Sequence, residues 1–409
     1  MSEPGTPPAA GDRIAQLLAE RTSANARFFS AEAERLARLC HRMAERFSRG
    51  GRLIALGSSP SARSDARHVA VEFVHPVIVG KRALPALGLA SEGGRLALQV
   101  DLAVEPGDVV MAFETAESPE TATALAAAGR RGCLTIAFSP CGAEWEFLPP
   151  SEDPFVRQEL IETLYHLLWE LVHVFFEHRG LLEGRTARAV HDAGPARFLY
   201  PFLGEEEHDL EAVVADVRRS VLLKSEEIGA LRAQTLRENR DALLAAAAAL
   251  REVFDRGGKL LLFGNGGSAT DAMDAAADFR AAPQGFPPRP ALDLTEDASI
   301  LTALANDIGV EGIFSRQIIA LAKEGDAALA FSTSGGSRNV IEALGEAKRR
   351  GLLTIALVGY GGGRVADERI ADHVIVTRSE HVPRIQEAQA SAYHALRELV
   401  ELAAPGAGS

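Results

Sequence analysis

The chain repeats itself, and a duplicated chain must fold as two like units. Arg49–Gly57 reads RGGRLIALG, and Arg256–Gly264 reads RGGKLLLFG. Gly107-Asp108 leads through an apolar run to Ala112-Phe113, and Gly325-Asp326 leads likewise to Ala330-Phe331. Arg130–Ala137 reads RRGCLTIA, and Arg349–Ala356 reads RRGLLTIA. The blocks keep their order while the offset between copies grows, so insertions separate them. Any two α/β units share apolar strands, but that does not explain the shared RGG and RRG lead-ins. With 409 residues, each half has enough chain for its own core.

Each copy reads as helix, strand, helix, strand, helix, strand, helix. Apolar residues recur every three or four positions in stretches such as Ala242–Phe254, which is helical periodicity. Lys259–Phe263 and Ala327–Phe331 are continuous apolar runs, as expected of strands buried on both faces of a parallel sheet. Alternating elements of this kind predict α/β domains, each a parallel sheet flanked by helices in three layers. The expected organisation is an N-terminal domain over 11–180, a connection over 181–206 and a C-terminal domain over 207–403. The connection contains Gly, Pro and an acidic run beginning at Glu205–Glu207. A long helical stretch, Asp209–Phe254, leads into the second sheet.

A net charge of −13 argues against a broad nucleic-acid-binding face, which needs clustered Lys and Arg. Cys40, Cys133 and Cys141 show no metal-ligand pairing and suit a reducing compartment. The opening MSEPGTPPAA has no basic segment followed by an apolar stretch, and Ala242–Leu250 is too short to span a bilayer. The expected location is cytoplasmic, with neither membrane nor nucleic acid as partner.

The second copy carries three segments suited to an anion. Gly264-Asn265-Gly266-Gly267-Ser268 follows a strand and opens a helix, where glycines admit close approach and the helix N-terminus favours negative charge. Asn306-Asp307 lies within LTALANDIGVEGIFSRQI. Ser332-Thr333-Ser334-Gly335-Gly336-Ser337 joins a strand to the helix Asn339–Lys348 and offers four hydroxyls to one phosphate. A Gly/Ser turn can be a plain helix cap. Two such turns after successive strands of a doubly wound sheet point instead to a ligand at the C-terminal ends of the strands.

Together GNGGSATDAM, LANDIGVEGIFSRQI, FSTSGGSRNVIEAL and the later RIQE…H resemble the phosphoheptose isomerase branch of the sugar isomerase (SIS) domains, over roughly residues 209–403. The resemblance implies a flavodoxin-like fold and an assembly of four SIS units, which a tandem chain would reach as a homodimer. It also implies conversion of sedoheptulose 7-phosphate to D-glycero-D-manno-heptose 7-phosphate, early in ADP-heptose synthesis. Asn265, Gly266, Gly267, Asn306, Asp307, Ser332, Thr333, Ser334 and Ser337 match the family's substrate-contacting positions. Ser268 and Gln386 are also expected near the substrate.

The family's zinc set is a His and Glu spaced i,i+4 on the first sheet helix, with a Gln and a His eight apart on the last helix. The second copy keeps Gln386 and His394 but has Asp274 and Asp278 in place of the first pair. Residues i and i+4 share a helix face, so both aspartates point together, although oxygen ligands make zinc less preferred. The first copy shows the reverse pattern. His68, Glu72, Gln158 and His166 are all present, while Phe113-Glu114-Thr115-Ala116 replaces the serine loop. Glu114 would repel a phosphate. A lone histidine in LIETLYHLLWELV is ordinarily a core residue, and its spacing from Gln158 is what raises His166 to a site candidate.

Aldose–ketose isomerisation needs a base of near-neutral pKa and a polarised carbonyl. Asp278 or Glu72 would be the base, with His394 or His166 as its acid/base partner. One alternative is a non-catalytic, phosphosugar-binding or regulatory SIS protein. If instead the two copies complement each other in one active site, His68→Ala and Glu72→Ala will each lower isomerase activity and zinc content. Unchanged activity and metal content would show that the first copy supplies no catalytic group.

Overall fold

The computed structural model describes residues 10–78, 81–90, 95–178, 181–182, 209–281 and 286–402. The expected connection at 181–206 lies outside them except for Leu181 and Leu182. The chain divides into two compact units, Ala24–Glu227 and Met1–Ser23 with Ile228–Ser409, called here the N-unit and the C-unit. Each holds a parallel five-stranded sheet covered by helices on both faces.

Helix α1 (Ala10–Ser48) starts in the C-unit and leads into the N-unit elements β1 (Leu53–Leu56), α2 (Pro60–Val74), β2 (Ala86–Leu89), α3 (Leu96–Ala103) and β3 (Val109–Ala112). Then come α4 (Pro119–Arg130), β4 (Leu134–Ala137), β5 (Trp145–Glu146) and α5 (Pro154–Glu177). Helix α6 (Leu210–Glu238) passes into the C-unit, followed by α7 (Arg240–Asp255), β6 (Leu260–Phe263), α8 (Gly267–Ala281), β7 (Ala291–Asp293) and α9 (Ala298–Ile308). A short 3₁₀ turn precedes α10 (Ile313–Leu321). The chain finishes with β8 (Ala327–Ser332), α11 (Arg338–Arg349), β9 (Leu353–Val358), α12 (Gly363–Asp367), β10 (His373–Val376) and α13 (Val382–Leu402). The strand orders are β2-β1-β3-β4-β5 and β7-β6-β8-β9-β10, the flavodoxin-like order in both units.

The central strands are apolar throughout because side chains alternate between two buried faces. In the N-unit, Leu53, Ala55, Val109 and Met111 face one core, and Ile54, Leu56, Val110 and Ala112 face the other. In the C-unit, Leu260, Leu262 and Leu329 oppose Leu261, Phe263 and Ala330 in the same way.

The repeated motifs now have physical causes. Gly50 (φ +93°) and Gly257 (φ +81°) end α1 and α7 in the left-handed region that a side chain disfavours. At the next residue space is the limit. A Cβ on Gly51 would lie 2.4 Å from the Gly107 carbonyl oxygen, and one on Gly258 would lie 2.8 Å from that of Gly325. The Asp of each Gly-Asp pair then ties the feet of the two central strands together. Asp108 Oδ1 accepts the Arg52 N–H at 2.8 Å, and Oδ2 accepts Arg52 Nη2 at 2.7 Å and the Glu105 N–H at 2.9 Å. Asp326 repeats this, accepting the Lys259 N–H at 3.0 Å, the Lys323 N–H at 2.8 Å and the Lys259 ammonium. Burial pushes the Asp108 carboxyl up, but Arg52 and the backbone donors outweigh that and hold it below the usual carboxylate range.

The structure differs from the sequence reading in two places. Each sheet has five strands rather than three, the added ones being β2 and β5, and β7 and β10. These are two to four residues long and partly exposed, so they lack the continuous apolar run that marks a buried strand. The long helical stretch breaks at Asn239. Its amide donates to the Val376 carbonyl at 2.9 Å and accepts the Val376 N–H at 2.9 Å, extending the β10 edge with a side chain.

Asp326→Ala should remove about 2–4 kcal/mol of C-unit stability, because two strand-foot N–H groups and a lysine lose a buried partner. Urea unfolding checks this, and a loss below about 0.5 kcal/mol would contradict the role given to Asp326.

Candidate functional site

In the C-unit the β6–α8 loop and the β8–α11 loop leave adjacent strands, since Phe263 pairs with Ala330. This is where the strand order reverses, and the crevice of a doubly wound sheet opens there. Gly264 lets the first loop turn at once into α8, since a Cβ there would lie 2.3 Å from the Ser268 carbonyl oxygen. Ser268 is buried, while Asn265 and Gly266 are exposed. The loops are locked together by a reciprocal amide pair. Asn265 Nδ2 donates to Asn339 Oδ1 at 2.9 Å, and Asn339 Nδ2 donates to Asn265 Oδ1 at 2.8 Å.

The hydroxyls of the serine loop are arranged to donate. Ser332 Oγ accepts the Gly335 N–H at 3.1 Å, and Ser334 Oγ accepts the Gly336 N–H at 3.2 Å. Each hydroxyl keeps its own proton for another acceptor. Ser337 occupies the N-cap of α11, yet its side chain makes no capping hydrogen bond, so the plain-cap reading does not describe it. Neither α8 nor α11 has an acidic residue in its first turn, so the partial positive charge of each N-terminus is left to a ligand. Thr333 lies in the same loop and is half-buried.

Asp274 and Asp278 face His394 across the α8–α13 contact. His394 Nε2 lies 3.6 Å from Asp274 Oδ2 and 3.3 Å from Asp278 Oδ2. Tyr393 donates its hydroxyl to Asp274 Oδ2 at 2.6 Å and packs edge-on against Phe331, the residue before Ser332, at 5.7 Å between ring centroids. This chain of contacts couples the serine loop to the carboxylate pair. Burial, then the neighbouring charge of Asp274, pushes the Asp278 carboxyl up to about 7, with His394 and Arg397 acting in the opposite direction.

The N-unit builds a parallel cluster. His68 Nε2 lies 3.9 Å from Glu72 Oε1, and the His68 and His166 rings are 5.1 Å apart. Burial, with the His166 charge adding to it, holds His68 neutral well below its ordinary value, and burial raises Glu72. Around α4, however, the groups are used internally. Ser118 Oγ accepts the Thr121 N–H at 3.2 Å as a true cap, and Glu120 sits in the first turn.

Both clusters can hold one divalent cation, because their three donor atoms lie within 4.8 Å of one another in each. The His68–Glu72–His166 donors suit zinc, while Asp274–Asp278–His394 suits a harder ion. Gln158 and Gln386 are buried on α5 and α13, about 12 Å along the helix before the histidines. Asn306 and Asp307 are exposed at the end of α9 and bond to each other at 2.8 Å. Among the described residues no hydrogen bond joins them to either loop. Sequence reasoning passed over Asn339 and Tyr393. The second had a signal, the Tyr-His pair repeated at Tyr165-His166 and Tyr393-His394.

The sheet order, the glycine loop after β6 and the serine loop after β8 define a SIS domain, and the SIS-domain family model matches residues 225–359. Phosphoheptose isomerase from Thermodesulfovibrio yellowstonii is 42% identical over 177 residues, 43% of this chain and 87% of the relative. That from Geobacter sulfurreducens is 45% identical over 169 residues, 40% of this chain and 87% of the relative. Through its C-terminal half the chain belongs to the phosphoheptose isomerase family. Over its whole length it is similar in fold to the C-terminal domain of a glucosamine-fructose-6-phosphate aminotransferase from Francisella tularensis. That match has a TM-score of 0.58 and 12% identity, and it covers 98% of each chain. The protein is thus a tandem SIS-domain chain. Among the described residues no helix is long and apolar enough to cross a membrane.

The raised Asp278 carboxyl carries a stability signature. Its folded pKa lies above the unfolded value of about 4, so its contribution is whole below pH ~4 and is lost as pH rises through 7. In chelator-treated protein, C-unit stability should fall between about pH 4 and 7, and Asp278→Asn should flatten that slope. An unchanged slope in urea titrations would contradict the placement.

Proposed function

We propose that the C-unit is a sugar-phosphate isomerase site acting on sedoheptulose 7-phosphate to give D-glycero-D-manno-heptose 7-phosphate. The observation that carries this reading is the serine loop. Its Ser332, Ser334 and Ser337 hydroxyls are available to donate at a helix N-terminus, and Phe331 and Tyr393 connect it to Asp274, the neighbour of the Asp278 carboxyl that is pushed up to about 7. The phosphate would sit between Gly266–Ser268 and Ser332–Ser337, with Thr333 as a further donor. The Asn265–Asn339 pair would hold these two walls at fixed spacing.

A base near pH 7 is half-ionised at neutral pH, which suits it to both halves of a proton relay. Asp278 would take the proton from the hydroxymethyl carbon beside the ketone, while protonated His394 gives a proton to the carbonyl oxygen. The resulting enediol would lose its other hydroxyl proton to His394 and receive the carbon-bound proton from Asp278 at the neighbouring carbon. Asp274, fixed by Tyr393, would orient the pair. A divalent cation held by Asp274, Asp278 and a neutral His394 would supply Lewis-acid polarisation of the substrate oxygens in place of the His394 proton. The corresponding N-unit set is His68, Glu72 and His166, in which Glu72 and His166 are the alternative base and acid.

Asn306 and Asp307 would complete the site from a second chain, in a homodimer that brings four SIS units together. The support is that α9 has no buried residue and exposes Ile300 at 40% and Ile308 at 56%. A non-catalytic phosphosugar-binding role is the second reading, favoured by the replacement of the family's His and Glu by Asp274 and Asp278.

Turnover of sedoheptulose 7-phosphate should be measurable and should fall by at least about 100-fold in Asp278→Asn. Ser334→Ala and Ser337→Ala should each raise KM about tenfold, the equivalent of one charge-assisted hydrogen bond. Saturable binding without product, with or without added zinc or manganese, would support the binding reading and overturn the enzymatic one.

A further inference from the structure

The N-unit has an anion cradle of its own, and its occupant is already in the chain. Leu56 pairs with Ala112 as Phe263 pairs with Ala330, which sets Glu114 in the position of Ser332 and the Ser58-Ser59 loop opposite it in the position of Asn265-Gly266. That loop opens the fifteen-residue helix α2, whose first turn carries no acidic residue and whose N-cap Ser59 makes no side-chain capping bond. A single oxygen, Glu114 Oε1, accepts three hydrogen bonds there: from the Ser58 N–H at 2.6 Å, the Ser58 hydroxyl at 2.6 Å and the Ser59 N–H at 2.9 Å. Two consecutive backbone N–H groups and a hydroxyl converging on one oxyanion at a helix N-terminus are the donor pattern of a phosphate oxygen site. Glu114 is only 6% exposed, yet it stays a carboxylate. Burial pushes it up, but the Ser58 and Ser59 donors outweigh that and hold it below the ordinary glutamate range.

We propose that Glu114 is a built-in anion that fills the phosphate-type cradle of the N-unit and closes it to phosphate esters and free phosphate. The loop between β1 and α2 is therefore an oxyanion site by construction, and the carboxylate supplies from within the charge that a ligand would otherwise bring. In the C-unit the loops are joined by the neutral Asn265–Asn339 pair, which leaves the helix N-termini open. In the N-unit they are joined by the charge itself. Glu114 thereby decides which of the two units takes a phosphate.

The test uses the full chain with inorganic phosphate as probe, read by calorimetric titration and thermal shift. Ser332→Ala, Ser334→Ala and Ser337→Ala together remove the C-unit donors, so that variant reports on the proposed C-unit site independently. Adding Glu114→Ala to it should create one phosphate site per chain and a phosphate-dependent rise in N-unit melting temperature. A folded quadruple variant that binds no phosphate overturns the proposal. If the added substitution unfolds the N-unit in phosphate-free buffer, refolding on addition of phosphate supports the proposal and failure to refold overturns it.

Discussion

An aspartate at the foot of each central strand fixes the frame on which both units depend. Asp108 and Asp326 each gather the N–H of the residue just before the neighbouring strand, a nearby loop N–H and a basic side chain. They thereby set the register of the strand pair that flanks the reversal in strand order. The carbonyl of the glycine before each aspartate lies against the second glycine of the RGG lead-in, Gly51 or Gly258, and leaves that residue no room for a Cβ. Sequence identity between the copies survives at this point because several close approaches converge there. At the other end of the same strands Gly57 and Gly264 are held by close approaches of their own, and it is the loop residues beyond them that have diverged.

What diverged is how the two loops across the strand reversal are held together. The C-unit holds them with a neutral amide pair and leaves its serine hydroxyls able to donate. The N-unit holds them with the Glu114 carboxylate and spends Ser118 as an ordinary cap. The second cluster shows the opposite exchange. The N-unit keeps two histidines and a glutamate, whereas the C-unit has two aspartates and a histidine. The aromatic connection is common to both, since Phe113–Tyr165 and Phe331–Tyr393 pack edge-on at 5.7 Å. One frame thus carries two different distributions of charge.

Much of this was legible in the sequence, and the exceptions have physical reasons. RGG and Gly-Asp could be seen as repeats because steric limits conserve residue identity. The six inner strands of the two sheets could be seen because burial on both faces demands unbroken apolar runs. Edge strands such as β2 and β10 could not, because partial exposure relaxes that demand and a side chain such as Asn239 can take over a ladder bond. The i,i+4 spacing anticipated that Asp274 and Asp278 face one way, but not that Tyr393 fixes the first of them. Glu114 read as a residue that would repel phosphate. Its seating against Ser58 and Ser59 is a tertiary contact between residues 56 apart in sequence and left no local pattern.

The central claim is that the two units differ in whether an external phosphate can enter, with the C-unit open and the N-unit filled from within. Calorimetric titration of the full-length chain with sedoheptulose 7-phosphate tests it most directly. A stoichiometry of one sugar phosphate per chain is predicted. Two per chain, or none, would contradict it.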